Sequence, residues 1–142
     1  MLLDIVLLTS SVAVIISDLK YRKISNFFVL TILTICILIS VREPSLSIHV
    51  DQSILVLLVG LVLFRVGVLA AGDTKLFAVY SLVINPEYIQ LSIFLIAFIG
   101  GIVAVPIFVK KYFSESKADR GVPYGIPIVL SSLFSIYLSK LS

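Results

Sequence analysis

Two aspartates carry most of the chemistry open to this chain. Asp73 sits in Ala70-Ala71-Gly72-Asp73-Thr74-Lys75, between apolar runs at 54–64 and 76–84. Asp18 ends the first apolar run, in Ser17-Asp18-Leu19-Lys20. Ionisable groups inside or beside membrane spans are rare and by default suggest function. Two carboxylates held close cannot both ionise, so one pKa rises and the pair titrates as a unit. Such a pair suits aspartyl proteolysis: the ionised partner activates water and the protonated one polarises the scissile carbonyl. The same residues have a plainer reading, in which Asp18 and Asp73 neutralise their neighbours Lys20 and Lys75. The pattern alone leaves both open.

Other chemistries are harder to build. The one histidine, His49, is expected in an outer loop, away from the aspartates, so a Ser-His-Asp arrangement is disfavoured. One histidine and one cysteine make a poor zinc set. Cys36 lies inside an apolar run and reads as a small buried hydrophobe. No phosphate-cradling glycine loop is present. No metal and no cofactor are expected.

The aspartates must be positioned by membrane helices. The chain has 142 residues, 60% hydrophobic and 13% charged, with a mean hydropathy of +1.20. A soluble domain is roughly 45–50% apolar and about 25% charged. The fold class is therefore an all-α membrane protein, one domain over 1–142 with no soluble domain. Apolar stretches at 2–17, 27–41, 54–68, 76–84, 89–109 and 126–138 predict six transmembrane helices. Several are short and must borrow flanking Ser, Thr, Gly and Tyr. The basic residues Lys20, Arg22 and Lys23 follow the first apolar run, so it reads as a retained helix and not as a secretory signal.

Loop charge sets the orientation. Lys20, Arg22 and Lys23 fall in the first loop, Arg65 and Lys75 in the third, and Lys110, Lys111, Lys117 and Arg120 in the fifth. Only Arg42 and Lys140 of the 11 basic residues fall on the other side. This positive-inside bias puts both termini outside and the odd loops in the cytoplasm. It also puts Asp18 and Asp73 on one cytoplasmic face. Separate loops are not a nucleic-acid patch, so no nucleic acid is expected; lipid is.

The depth of Asp73 follows from length. The 35 residues between Asp51 and Glu87 must cross twice. As helix they reach about 52 Å, against about 60 Å for two full crossings. The turn at 67–72 cannot project far, and Asp73 belongs at the interface or just below it. Asn85-Pro86 marks the outer turn. The fifth helix carries Gly100, Gly101 and Pro106, and the sixth opens irregularly with Val122-Pro123-Tyr124-Gly125-Ile126-Pro127. Asp4 falls at the outer end of the first helix, with no part in the pair. Arg65 reads as an interfacial anchor. Lys75 either supports the site or snorkels to headgroups.

Three motifs taken together resemble a known family. Asp18-Leu19-Lys20-Tyr21-Arg22-Lys23-Ile24-Ser25-Asn26 is similar to the first aspartate motif of the type IV prepilin peptidases. Ala70-Ala71-Gly72-Asp73-Thr74-Lys75 resembles their second, Gly-x-Gly-Asp-x-Lys. Pro123-Tyr124-Gly125 resembles a late segment of the short members that serve tight-adherence (Flp-type) pili. The order and six-helix layout agree over essentially the whole chain. The resemblance implies an intramembrane aspartyl endopeptidase of the bacterial inner membrane. Its substrate would be a prepilin precursor, whose short basic leader is removed at the cytoplasmic face, just before a hydrophobic helix. Asp18 and Asp73 would be catalytic, with Lys20, Asn26, Gly72, Lys75, Pro123, Tyr124 and Gly125 around them. Longer members add a cysteine-rich segment and N-methylate the trimmed pilin; this chain has none, which implies peptidase activity alone. Two positions depart from the pattern: Ala70 stands for the first glycine, and Ser25 for the usual proline.

Two alternatives belong to other classes. A small proton- or ion-conducting transporter subunit would use the carboxylates as carriers, but the residues between the two faces are mostly Ile, Leu, Val and Phe. An inactive scaffold of the same fold is the other. An archaeal preflagellin peptidase would share the mechanism and differ in substrate.

Overall fold

The computed structural model describes residues 1–113 and 121–142. These form six helices and no strand: α1 (Leu2–Tyr21), α2 (Asn26–Arg42), α3 (Val50–Val66), α4 (Ala71–Ser81), α5 (Pro86–Phe113) and α6 (Gly125–Leu141). The all-α class and the helix order expected from the apolar stretches are both present. Helices α1 and α5 are long and apolar enough to cross a membrane. Helices α2 and α6 are apolar but shorter, at 17 residues each.

Local chemistry explains the ends. Helix α1 stops because Arg22 turns left-handed, at φ 52°, and its N–H reaches back to the Asp18 carbonyl at 2.8 Å. Helix α2 starts at Ser25, whose hydroxyl accepts the Phe27 N–H at 3.2 Å. Such a cap satisfies one of the donors orphaned at a helix start. The serine that departs from the family pattern thus has a local task. Helix α3 ends on Gly67 at φ 83°, where a side chain would be strained. Residues 67–70 then lead directly into α4, the short turn that chain length requires.

The fourth helix is shorter than its apolar run. The run continues to Ile84, but the helix stops at Ser81. Leu82, Val83 and Ile84 remain buried in a non-helical turn. The freed carbonyls find donors on α3: Gln52 Nε2 binds the Ser81 and Ile84 carbonyls at 2.7 and 2.9 Å, and the His49 N–H binds the Leu82 carbonyl at 2.8 Å. Irregular backbone in an apolar interior survives only where protein groups satisfy it. Eleven residues of helix rise about 16 Å, so α4 and this turn together run alongside α3. Replacing Gln52 with Leu therefore leaves two buried carbonyls short of a donor. The expected cost is about 1–3 kcal/mol, read as a lower unfolding temperature in detergent.

Helix α4 lies at the centre, packed on α2, α3 and α6, while α1 joins α2 and α6 and α5 packs on α6. Tyr80, Leu76, Val83 and Ile84 of this central segment are buried against Val14, Ile32, Cys36 and Ile128. Cys36 is fully buried, as its position predicts. The bundle also hides hydroxyls: Ser11 meets Tyr80 at 2.6 Å, and Ser92 donates to Ser135 at 2.6 Å. Its outside carries exposed Leu, Ile, Val and Phe on every helix but α4, whose side chains are mostly buried. A surface this apolar is unlike that of a monomer in water and matches lipid.

Charge sorts to the two ends. Lys20, Arg22, Lys23, Arg65, Lys75, Lys110 and Lys111 lie at helix ends on the Asp18 side. Lys117 and Arg120, which the sequence puts with them, lie outside the described residues. At the opposite end Lys140 pairs with Asp4, which also binds the N-terminal ammonium at 3.1 Å. Asp4 is thus far from Asp18 and has a structural partner. His49 caps α3 there, its ring 2.8 Å from the Ser47 hydroxyl.

Candidate active site

Three chain segments that are distant in sequence meet around Asp18. It lies in the last turn of α1, only 6% exposed. Its Oδ2 accepts the Gly125 N–H, at the start of α6, at 2.9 Å. A Cβ on Gly125 would stand 2.6 Å from that oxygen, so only glycine lets α6 come this close. Pro123 is buried just before it, and the Tyr124 ring fits where Gly100 of α5 has no side chain. The Arg22 guanidinium donates to the Gly121 carbonyl at 3.3 Å and ties the same segment to α1.

Asp73 sits in the first turn of α4, 5% exposed. Its Oδ2 accepts the Ala70 N–H at 3.3 Å. This is half of a capping box; alanine has no side-chain acceptor to supply the other half. Ala70 is an exposed residue at φ −81° and ψ 154°, a conformation open to any L-residue. The glycine of the family pattern is therefore not needed for backbone shape at this position. Gly72 is different: a Cβ there would lie 3.1 Å from the Ile24 Cβ and 3.4 Å from the Ile24 carbonyl oxygen. Close passage of the α1–α2 turn across the start of α4 brings the two aspartates together.

The two carboxylates share the wall of one open cavity of about 340 Å³, lined by both aspartates, Arg22, Lys23, Ile24, Asn26, Ala70, Ala71, Gly72 and Lys75. Asp73 is near enough to Asp18 to feel its charge. Lys75 donates to Asn26 Oδ1 at 3.2 Å, bridging the rims of α2 and α4. Two buried carboxylates beside an open cavity can share one proton, which sets a base next to an acid.

Of the residues singled out in the sequence, Asp18, Asp73, Asn26, Gly72 and Lys75 line the cavity, and Gly125 touches Asp18. Pro123 and Tyr124 shape the start of α6 one layer behind. Lys20 does not line the cavity. It is exposed and lies over the Tyr21 ring, 5.2 Å from its centre. Two residues along a helix is about 200° of rotation, so Asp18 and Lys20 face opposite ways. Conversely, Arg22, Lys23 and Ile24 line the cavity although only their neighbours were singled out. The left-handed turn at Arg22, which folds the chain back over Asp18, has no glycine to signal it.

The family model described as the type IV leader peptidase family matches residues 5–105. The match contains both aspartates and all the cavity-lining residues, and it ends before Gly125. No curated protein and no solved structure matches the chain. With most of its length accounted for by that match, this chain belongs to the type IV leader peptidase family.

Proposed function

We propose that the protein is an intramembrane aspartyl endopeptidase that removes the leader of prepilins of the tight-adherence (Flp) type. One observation carries the reading: Asp18 and Asp73 are buried side by side on a single open cavity. In this reading they are the catalytic pair. Arg22, Lys23 and Lys75 ring the opening, Asn26 holds Lys75, and Gly72 and Gly125 let the segments carrying the carboxylates approach.

The same reading sets the protein in the bacterial inner membrane as a multi-pass protein. All six helical segments cross, both termini lie outside, and the cavity opens at the cytoplasmic face. The concentration of basic residues at the Asp18 end supports that orientation. A precursor anchored by its own hydrophobic helix would present its cleavage site at a fixed depth, beside the pair. Peptide hydrolysis is the whole reaction, with no methyl transfer. Four of the buried hydroxyls weigh against transport. Those of Ser11, Tyr80, Ser92 and Ser135 are taken up in pairs with one another rather than lining an open path.

The direct test is co-expression with an Flp-type pilin precursor and measurement of the precursor's mass. Loss of the leader only when the protein is present is expected. An intact precursor across Flp-type substrates, with the protein inserted, would remove this reading.

A further inference from the structure

The two carboxylates, though close, are held differently. Asp18 Oδ2 receives the Gly125 N–H at 2.9 Å, near the most common length for such a bond. The donor belongs to the first residue of α6, whose N–H has no partner within its own helix. Arg22, one turn along α1, adds a positive charge on the same side. Asp73 receives one N–H, from Ala70, at the longer distance of 3.3 Å. Its nearest cation in sequence, Lys75, donates to Asn26. Asp73 lies at the N-terminus of α4. Asp18 lies in the last turn of α1, whose dipole opposes an anion, but its carboxyl faces the N-terminus of α6. The backbone donor and Arg22 therefore carry the difference rather than the helix dipoles. Among the described residues, the cations lining the shared cavity are Arg22, Lys23 and Lys75. Of these, Arg22 stands one helical turn from Asp18, and the α6 segment packed on Asp18 presents a backbone donor.

We propose that the pair works asymmetrically: Asp18, gripped by the Gly125 N–H, is the ionised partner, and Asp73 carries the shared proton. This rests on the peptidase reading for its catalytic meaning. Asp18 then takes the proton from the attacking water, while Asp73 hydrogen-bonds the scissile carbonyl. Donors aimed at a carboxylate favour its charged form, and of two adjacent acids the less stabilised anion keeps the proton. Gly125 is a positioning residue here. A Cβ at that site would stand 2.6 Å from Asp18 Oδ2 and 3.0 Å from its Cγ, which drives the carboxylate off its donor.

The test uses the whole protein in detergent near neutral pH and needs no pilin. Nitrophenyl glycidyl ether esterifies ionised carboxylates, because the anion opens the epoxide and the resulting alkoxide takes a proton from water. Peptide mass mapping is expected to show the ester on Asp18 in about tenfold excess over Asp73, the ratio for one pKa unit. In Gly125→Ala the excess disappears. Equal labelling in the wild type, or preference for Asp73, overturns the assignment. An unchanged ratio in Gly125→Ala overturns the part given to Gly125. Infrared spectra decide independently of probe access and of how that variant folds. The stretch of a buried protonated carboxyl should persist in Asp18→Asn and vanish in Asp73→Asn; the reverse pattern refutes the proposal. Failure to cut pilin would count against the peptidase reading without altering either readout.

Discussion

Asp18→Asn and Asp73→Asn each leave the pilin precursor at full mass. General acid–base groups of this kind contribute about 10²–10⁴-fold apiece. The loss should not be additive, because a base without its acid partner is no longer a pair. The double variant should therefore be about as inactive as either single one. Asparagine suits the test because it keeps the shape and an acceptor oxygen. Asn at 18 can still take the Gly125 N–H, and Asn at 73 the Ala70 N–H. Both variants should consequently insert and melt like the wild type. Cleavage at wild-type rate by either variant would show that the carboxylate pair does no chemistry.

A second large effect is expected at a residue that carries no charge. Gly60 on α3 is buried against Thr74, the residue after Asp73. Its carbonyl accepts the Thr74 hydroxyl at 3.2 Å, and an added Cβ would run into Thr74 Cγ2. Gly60→Ala should cost about 1–3 kcal/mol by overpacking and push the first turn of α4, with Asp73, away from its seat. Both stability and leader removal fall. The colliding atom is a methyl group that serine lacks, while serine keeps the hydroxyl. Gly60→Ala with Thr74→Ser should therefore recover a large part of both, measured by unfolding in detergent and by precursor mass. A double variant no better than Gly60→Ala alone would mean that the contact is not what separates these helices.

Much of this arrangement was legible in the residues themselves. The apolar runs and the polar breaks between them mark six helices. The charged breaks bring Asp18 and Asp73 to one end, and Gly72 and Gly125 stand where close approach is needed. What was hidden depends on partners distant in sequence. Nothing near Ser81 says that Gln52 will take over its carbonyl, so the apolar run reads as helix to Ile84. Nothing at Gly60, in an unbroken apolar run, announces Thr74. The motif resemblance sets Lys20 beside the pair, but two residues along a helix put it on the face opposite Asp18. Arg22 left no mark because left-handed turns are signalled by glycine, and here an arginine makes one.

The grip of Gly125 on Asp18 also sets an order in time. A chain leaving the ribosome delivers α1 and α4, and with them both aspartates, well before α6. Until the sixth helix is in place, Asp18 lacks its donor and the cavity lacks its third support. Helix α6 therefore completes the seat of Asp18 only after both aspartates have been made.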